Sequence, residues 1–253
     1  MGHLSDLMIE MGNEKMEKWV RDRLDDADED SIEYRQLVHE YSNYEESLYE
    51  EAEWKAELEW LRKNGSSNIH QMFINELDGL KAMMEDHLVT QHQKIFQFHT
   101  NMSVRMFYAY SVTLLESFLA DTLKSIISED DDFLRNSIRK FKILKNVKLL
   151  ELTDTNLDIR SLVFKYLNEF SFHNIPNVKE MYEQVLNVNL SDLDVSDVIK
   201  ICKLRHDIVH RNGRDFDGKE IEIIPEDFYI AIEGIRKFSN ELQKSINKSS
   251  FIK

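Results

Sequence analysis

The chain has 253 residues, of which 42% are hydrophobic and 31% charged, so it holds enough apolar material for a core and is not a disordered polymer. Seven glycines and two prolines are few helix breakers, and this composition predicts an all-α protein. A single cysteine excludes an internal disulfide, and no long apolar run or signal segment stands out, so we expect a cytoplasmic protein without a membrane span.

The net charge of −15 argues at first against a nucleic-acid partner. The charge is unevenly distributed, since residues 1–100 sum to −13 and residues 101–253 to −2. This asymmetry weakens the objection for the second part of the chain. It also predicts an acidic helical N-terminal region over 1–100, followed by a helical domain over 101–253.

The N-terminal region reads as two or three long helices. Apolar residues at three- and four-residue steps predict one helix over 32–61, with the stripe Tyr34, Leu37, Val38, Tyr41, Tyr44, Leu48, Trp54, Leu58 and Leu61. Asn64 to Ser67 predicts a break, and a second helix should run over 68–98. The acidic run Asp25 to Asp30 has two interpretations. It is a phosphate mimic or docking site for a basic partner, or a solvated helix start.

The most apolar stretch, Met102 to Ile127, predicts a central core helix. Within it, the acidic residue Glu116 lies directly among leucines and a phenylalanine. Glu116 has three interpretations: it faces solvent, caps a neighbour, or points into a site. A buried carboxylate needs a partner, so the third interpretation requires a cation nearby.

Residues 134–148 carry six basic side chains and no acidic one. This basic patch includes Arg135, Arg139 and Lys142. It could follow a phosphate backbone, or it could complement the acidic N-terminal helices. The two interpretations are compatible, so the patch is a weak candidate for RNA binding.

The remaining elements are predicted from their breakers and caps. A break at 174–177 precedes a short helix over 179–186, and residues 192–196 offer N-cap side chains for the next helix. That helix should end at Asn212-Gly213. A turn at Asp217-Gly218 and a short extended piece over 219–224 follow. Pro225 then begins a last helix that reaches about residue 246.

The helix before Gly213 concentrates ionisable side chains within seven residues: Arg205, His206, Asp207, His210 and Arg211. At about 100° per residue, Arg205 and His210 lie about 140° apart and about 7.5 Å apart along the axis. One helix therefore cannot easily bring both onto one phosphate. A two-fold dimer that sets two such helices side by side offers two arginines and two histidines across its axis.

These residue types suit RNA cleavage. One imidazole can take the proton of the 2′-hydroxyl and another can protonate the leaving 5′-oxygen, because histidine titrates near neutrality. An arginine can hold the phosphate and the charge that develops on it. The 2′-hydroxyl as internal nucleophile makes RNA, and not DNA, the substrate. No metal or other cofactor is required.

The spacing Arg205 to His210 matches the R-x4-H signature of the HEPN superfamily, with His206 as the polar residue after the arginine. The Ile-Val pair before His210 and the basic residue and glycine after it are also similar, and the apolar helix with Glu116 resembles the first helix of the HEPN bundle. The resemblance covers roughly 101–246 and looks closest to the RiboL-PSP and related branches. Residues 1–100 show no such resemblance.

The resemblance implies an up-and-down four-helix bundle that forms a homodimer through the motif helices. It implies a metal-independent endoribonuclease of a toxin–antitoxin or antiviral defence system, with RNA as substrate and an antitoxin or other protein as a further partner. Arg205 and His210 carry over as catalytic residues and His206 as the helper, with Glu116 and Asp207 as supporting residues and Arg211 as an RNA contact. Some HEPN domains only bind, so the alternative is a non-catalytic regulatory module that engages a protein through its acidic helices.

Other interpretations of the same residues are open. Cys202, His206 and His210 follow one helical stripe as possible zinc ligands, but the first and last lie about 12 Å apart along the axis, too far for one tetrahedral ion. A Cys202–histidine nucleophile lacks a recognisable oxyanion hole. In a purely structural interpretation, Arg205 and Arg211 are solvated, the histidines pack in a dimer seam, and Asp207 pairs with Arg211 four residues on.

Overall fold

The computed structural model describes residues 2–24, 28–89, 100–140 and 158–250. Within them the protein is all-α without a β-strand, as the composition predicts. The helices are α1 (Gly2–Arg21), α2 (Ile32–Val89), α3 (Thr100–Glu129), α4 (Asp131–Lys140), α5 (Ile159–Glu169), α6 (Ile175–Leu186), α7 (Ser196–His210) and α8 (Pro225–Ser250). The first part of the acidic run, the end of the predicted 68–98 helix and Lys142 lie outside the described residues.

The chain divides into two compact units, Met1–Glu59 and Trp60–Lys253. We call them the N-terminal and C-terminal units. The N-terminal unit contains nineteen acidic and six basic residues, so it carries the whole net charge of −13 counted for residues 1–100. Residues 60–100 hold four of each sign, so charge alone does not distinguish a boundary at 59 from the predicted one at 100. The boundary of the compact units falls within α2.

The N-terminal unit contains α1 and the first part of α2. Val20 and Tyr41 are buried, and the Trp19 ring stacks on Tyr44 with centroids 6.3 Å apart. The predicted apolar stripe is helical, but beyond Tyr41 its members Tyr44 and Leu48 are exposed. The stripe therefore predicts the helix correctly, yet much of it is not core within the described residues.

The second part of α2 begins the C-terminal unit and contains the predicted break. Gly65 has φ +67° and ψ 167°, which interrupts the helical dihedrals and kinks α2 there. Leu61, Phe73 and Leu77 from this part are buried. The break predicted at residues 64–67 is therefore a kink within a long helix rather than a loop.

Helix α3 is the centre of the C-terminal unit, as its apolar sequence predicts. It contacts each of α4 to α8, and Leu115, Leu119 and Leu123 are fully buried along it. The Tyr182 hydroxyl of α6 donates a hydrogen bond to the Leu119 carbonyl at 2.7 Å, and burial raises the pKa of this tyrosine well above its ordinary value. The N-terminal end of α3 is different, because Met102 and Met106 are exposed there.

Helix α7 ends at the predicted residues, and an aspartate contacts its first backbone N–H group. The Asp194 carboxylate accepts from the Ser196 backbone N–H at 2.9 Å at the start of the helix. At the other end, Asn212 and Gly213 adopt positive φ, and the Gly213 N–H donates to the Asp207 carbonyl at 3.1 Å. The turn at Asn212 and Gly213 therefore ends the motif helix where the sequence predicts, whereas the N-cap residue Val195 makes no side-chain cap hydrogen bond.

The flanking helices also follow their caps. Helix α6 begins at Ile175, earlier than predicted, because Asn174 caps it and Pro176 lies in its first turn. Helix α8 begins at Pro225 as predicted, and its Asp227 carboxylate accepts from the Ile224 N–H at 3.0 Å. Between α7 and α8, the predicted extended piece is reduced to an isolated bridge of Arg214 with Glu220. Of the helices described, none combines the length and apolar character that a bilayer crossing demands.

Candidate functional site

The side chains of the motif residues point in two directions from α7. The Arg205 side chain is 18% exposed and turns toward α3, whereas His206 and His210 are exposed. This agrees with the divergence that the helical spacing predicts. Within one chain, α7 therefore presents a shielded guanidinium on one side and two accessible imidazoles on the other.

Arg205 lies against Glu116, an acidic residue in the apolar part of α3. Its Nη2 is 3.5 Å from Glu116 Oε2, and the Glu116 side chain is 22% exposed. The structure shows Glu116 in an ion pair with the motif arginine, so its carboxylate does not simply face solvent. The requirement that a shielded carboxylate has a cationic partner is met by this contact.

A histidine that the sequence analysis did not single out completes this cluster. His173 lies in the short connection between α5 and α6, and its Nδ1 is 3.4 Å from Glu116 Oε1. No local spacing links His173 to the motif, because the fold and not the chain order brings it beside Glu116. Glu116 is thus placed between an imidazole and a guanidinium from two other elements.

Two polar atoms of this cluster lack hydrogen-bond partners among the described residues. They are Glu116 Oε1 and Arg205 Nε, both shielded from solvent. The 3.4 Å separation from His173 counts as an ionic contact but is longer than a well-formed N–H···O hydrogen bond. Unpaired shielded polar atoms are costly in a fold and are typical of sites that receive another group.

His206 and His210 form a pair on the exposed face of α7. Their ring centroids are 4.7 Å apart with an interplanar angle of 41°, as expected for side chains four residues apart. Cys202 does not join them, because its side chain is buried. Among the described residues, no group of three or more His, Cys, Asp or Glu side chains could hold a metal ion. The three-ligand zinc stripe is therefore not assembled.

Burial governs the chemistry of Cys202. It raises the pKa of the thiol to about 12, and the nearby Glu116 carboxylate adds to the effect while Arg205 opposes it. A thiol with this pKa is protonated at neutral pH, and the thiolate is the reactive nucleophile. The burial and raised pKa of the thiol therefore argue against a Cys202–histidine nucleophile.

Asp207 and Arg211 form the ion pair that their spacing predicts. Arg211 Nη1 donates to Asp207 Oδ1 at 2.9 Å, and the Asp207 side chain is only 13% exposed. The Arg211 guanidinium also lies over the exposed Phe216 ring, 5.4 Å from its centroid. Both residues thus stabilise the end of α7, and the Arg211 guanidinium contacts two side chains of its own chain.

An arginine of α3, Arg105, holds the segment after the motif. Arg105 Nη2 donates to Glu220 Oε1 at 3.0 Å and to the Ile221 carbonyl at 3.1 Å. Gly213 makes room for this guanidinium, since a Cβ at that position would be 2.5 Å from Arg105 Cζ. Arg105 could not be predicted from local sequence patterns, because its partners follow more than a hundred residues later.

An open apolar groove of about 600 Å³ lies next to Arg205 in the C-terminal unit. Helices α2, α3 and α7 form it, and its lining includes Met83, Met106, Tyr110, Val209 and Arg205. Met83, Met106, Tyr110 and Val209 are each about half exposed or more. The groove therefore presents apolar surface for a partner or ligand, with a guanidinium at its edge.

The predicted basic patch is only partly within the described residues. Arg135 and Arg139 are exposed on α4, whereas Lys142 lies outside. Arg135 Nη2 pairs with Asp132 of the same helix at 2.6 Å. The structure brings neither arginine into the Glu116–Arg205–His173 cluster.

No family model matches the chain, and no curated protein and no solved structure matches it either. The resemblance of the 205–210 segment to the HEPN superfamily therefore stays a prediction. What can be argued about function rests on the side chains gathered around α7.

Proposed function

We propose that this protein is a metal-independent endoribonuclease of the HEPN type that acts as a toxin or antiviral defence effector. In this proposal α3 and α8 are the first and last helices of the bundle, and α7 carries the catalytic residues. The observation that supports it is the arrangement on α7: Arg205 is held by Glu116 while His206 and His210 remain accessible.

The reaction is a transesterification of the RNA backbone. The 2′-oxygen bonds to phosphorus as an imidazole takes its proton, the bond from phosphorus to the 5′-oxygen breaks, and a second imidazole protonates that oxygen. Arg205 stabilises the charge on the phosphate, His210 is the general acid/base, and His206 assists it. The products carry a 2′,3′-cyclic phosphate and a free 5′-hydroxyl.

The site is assembled from two copies. Arg205 faces α3 and His210 faces outward, so one chain does not present both to one phosphate in this arrangement. A two-fold dimer through α7 places His210 of one copy near Arg205 of the other. The groove that includes Val209 and Arg205 offers apolar surface at the same place.

The direct test is cleavage of RNA in EDTA. We expect wild type to leave 2′,3′-cyclic phosphate ends, and Arg205→Ala and His210→Ala to lose at least about 100-fold in rate. Lys200→Ala, an exposed cation on α7, and His39→Ala, an exposed histidine on α2, are matched controls that should keep the wild-type rate. Loss of cleavage in EDTA would instead favour metal-dependent chemistry.

A mixing experiment tests the composite site. Arg205→Ala and His210→Ala chains, each inactive alone, should regain part of the activity when mixed, because a heterodimer contains one intact arginine–histidine pair. No recovery from a verified heterodimer would show that both residues act from one chain.

A second candidate function is supported by the N-terminal unit. This unit carries nineteen acidic residues, and Tyr44, Leu48 and Tyr49 are exposed on α2 among them. Such a surface suits a basic partner protein, as in the non-catalytic module. Wild type that cleaves no RNA but binds a co-encoded protein tightly, with loss of binding in Leu48→Asp, would favour this candidate.

A further inference from the structure

The cluster around Glu116 brings three elements together in one chain. Glu116 comes from α3, Arg205 from α7 and His173 from the connection between α5 and α6. Glu116 Oε2 faces the guanidinium at 3.5 Å, and Glu116 Oε1 faces His173 Nδ1 at 3.4 Å. The carboxylate thus connects an imidazole to the arginine that holds the phosphate in the proposed function.

The two nitrogens of His173 have different surroundings. Its side chain is 50% exposed, and Nδ1 is the nitrogen that faces the carboxylate. The Ser171 hydroxyl is a further close polar group, 3.2 Å from Nδ1 and 3.0 Å from Nε2. When Nδ1 carries a proton toward Glu116, Nε2 is an acceptor, and its partner is this hydroxyl or a substrate proton.

Two polar atoms of the cluster have capacity for a further hydrogen bond. Glu116 Oε1 and Arg205 Nε are shielded and without hydrogen bonds in the described part of the chain. Hydrogen bonds of acid–base residues are often long before substrate binds and shorten in the complex. A contraction of a few tenths of an ångström would turn the contact between His173 and Glu116 into such a bond.

We propose that His173 is a catalytic base of this site, oriented by Glu116 and acting in the same chain as Arg205. This inference rests on the proposed ribonuclease function and names the imidazole that takes the 2′-hydroxyl proton. His173 Nε2 takes the 2′-hydroxyl proton while the 2′-oxygen bonds to phosphorus. The bond to the 5′-oxygen breaks, and His210 of the second copy gives that oxygen a proton. Glu116 stabilises the imidazolium that forms on His173.

The assignment of base and acid can be tested with two RNA substrates. One has the ordinary 5′-oxygen leaving group, and the other has sulfur in that position, whose thiolate leaves without protonation. We expect His173→Gln to lose at least about 100-fold in rate on both substrates. His210→Ala should be slow on the ordinary RNA and largely restored on the sulfur substrate. A purely structural role of His173 would not separate the two variants in this way.

Two variants serve as controls. His39→Gln removes an exposed histidine of the N-terminal unit and should not change either rate. Ser171→Ala removes the hydroxyl beside His173 and should change the rates only slightly, because Glu116 still orients the ring. The inference is overturned if His173→Gln cleaves ordinary RNA at the wild-type rate, or if the sulfur substrate restores its activity.

A spectroscopic measurement separates this inference from the proposed function. Long-range ¹H–¹⁵N spectra show which nitrogen of His173 carries the proton in the neutral ring. We expect the proton on Nδ1 in wild type and loss of this preference in Glu116→Ala. If wild type cleaves no RNA, the proposed function fails, and the spectrum still decides whether Glu116 orients His173. A proton on Nε2 would overturn the pairing whatever the activity.

Discussion

Glu116 on α3 and Arg205 on α7 face each other with Oε2 and Nη2 3.5 Å apart, and each side chain is about one-fifth exposed. The contact joins the central helix of the C-terminal unit to the motif helix. It also orients the guanidinium, because Arg205 Nη2 turns to α3 rather than to solvent. The interpretation of Arg205 as a solvated surface residue is therefore wrong.

Replacement of Glu116 by glutamine should destabilise the C-terminal unit. The variant keeps the shape of the side chain but leaves the Arg205 charge without its carboxylate, so we expect a loss of about 1–3 kcal/mol in the free energy of unfolding. Urea unfolding followed by circular dichroism measures it. The control is Glu233→Gln, whose partner Lys81 is 3.3 Å away and whose side chain is 58% exposed, so its cost should be under about 1 kcal/mol. Equal effects in both variants would contradict the structural importance of the Glu116 contact.

The sequence predicts much of the local structure and only part of the site. Helical period and caps predict α3, α7 and α8, and the i,i+4 spacing predicts the pair of Asp207 with Arg211, because these features depend on residues close in the chain. His173 could not be predicted in this way. Its proximity to Glu116 depends on how α5, α6 and α3 pack, and nothing in the spacing of the chain encodes it.

Gly213 should tolerate alanine poorly for two separable reasons. It has φ +72°, which strains any residue with a Cβ, and that Cβ would be 2.5 Å from Arg105 Cζ. Gly218 has φ +79° with nothing within 4 Å of its Cβ position, so Gly218→Ala has the backbone strain alone. We expect Gly213→Ala to lower the free energy of unfolding by about 1–3 kcal/mol more than Gly218→Ala, measured by urea unfolding. Equal losses would show that Arg105 moves aside freely.

Cys202 should react slowly with thiol reagents in the folded protein. Its pKa is raised from 9.0 to about 12, so at pH 8 the thiolate fraction is lower than in the unfolded chain by a factor of about 10³. Reaction with Ellman's reagent at pH 8 should therefore be slow in native protein and fast in urea. Rapid labelling of the native protein would contradict both the burial and the raised pKa.

The raised pKa of Cys202 also predicts how the stability of the protein depends on pH. Because the folded pKa is raised, the stabilising contribution of the Cys202 thiol is complete below the unfolded pKa near 9 and is lost as the pH rises toward about 12. Wild type should lose about 1 kcal/mol more than Cys202→Ala between pH 8 and pH 10. Other groups titrate in this range, so the difference between the two proteins is the quantity to measure.

An aspartate in the apolar groove beside Arg205 should separate the proposed dimer. Val209 is 49% exposed on α7, between Arg205 and His210 of the motif helix, and an aspartate there places a charge at the two-fold contact. We expect Val209→Asp to raise the dimer dissociation constant at least about tenfold, which corresponds to about 1.4 kcal/mol. Sedimentation velocity over a concentration series measures it, and RNA cleavage should fall in proportion to the dimer fraction.

The matched control is Ile230→Asp, because Ile230 is 69% exposed on α8 and does not line the groove. It adds the same charge to another exposed aliphatic position of the C-terminal unit, so it should change neither association nor cleavage. A Val209→Asp protein that remains dimeric would show that association does not depend on the groove. A monomeric Val209→Asp protein with the full cleavage rate would contradict the composite site more directly, because Arg205, His173 and His210 would then have to serve one phosphate within a single chain.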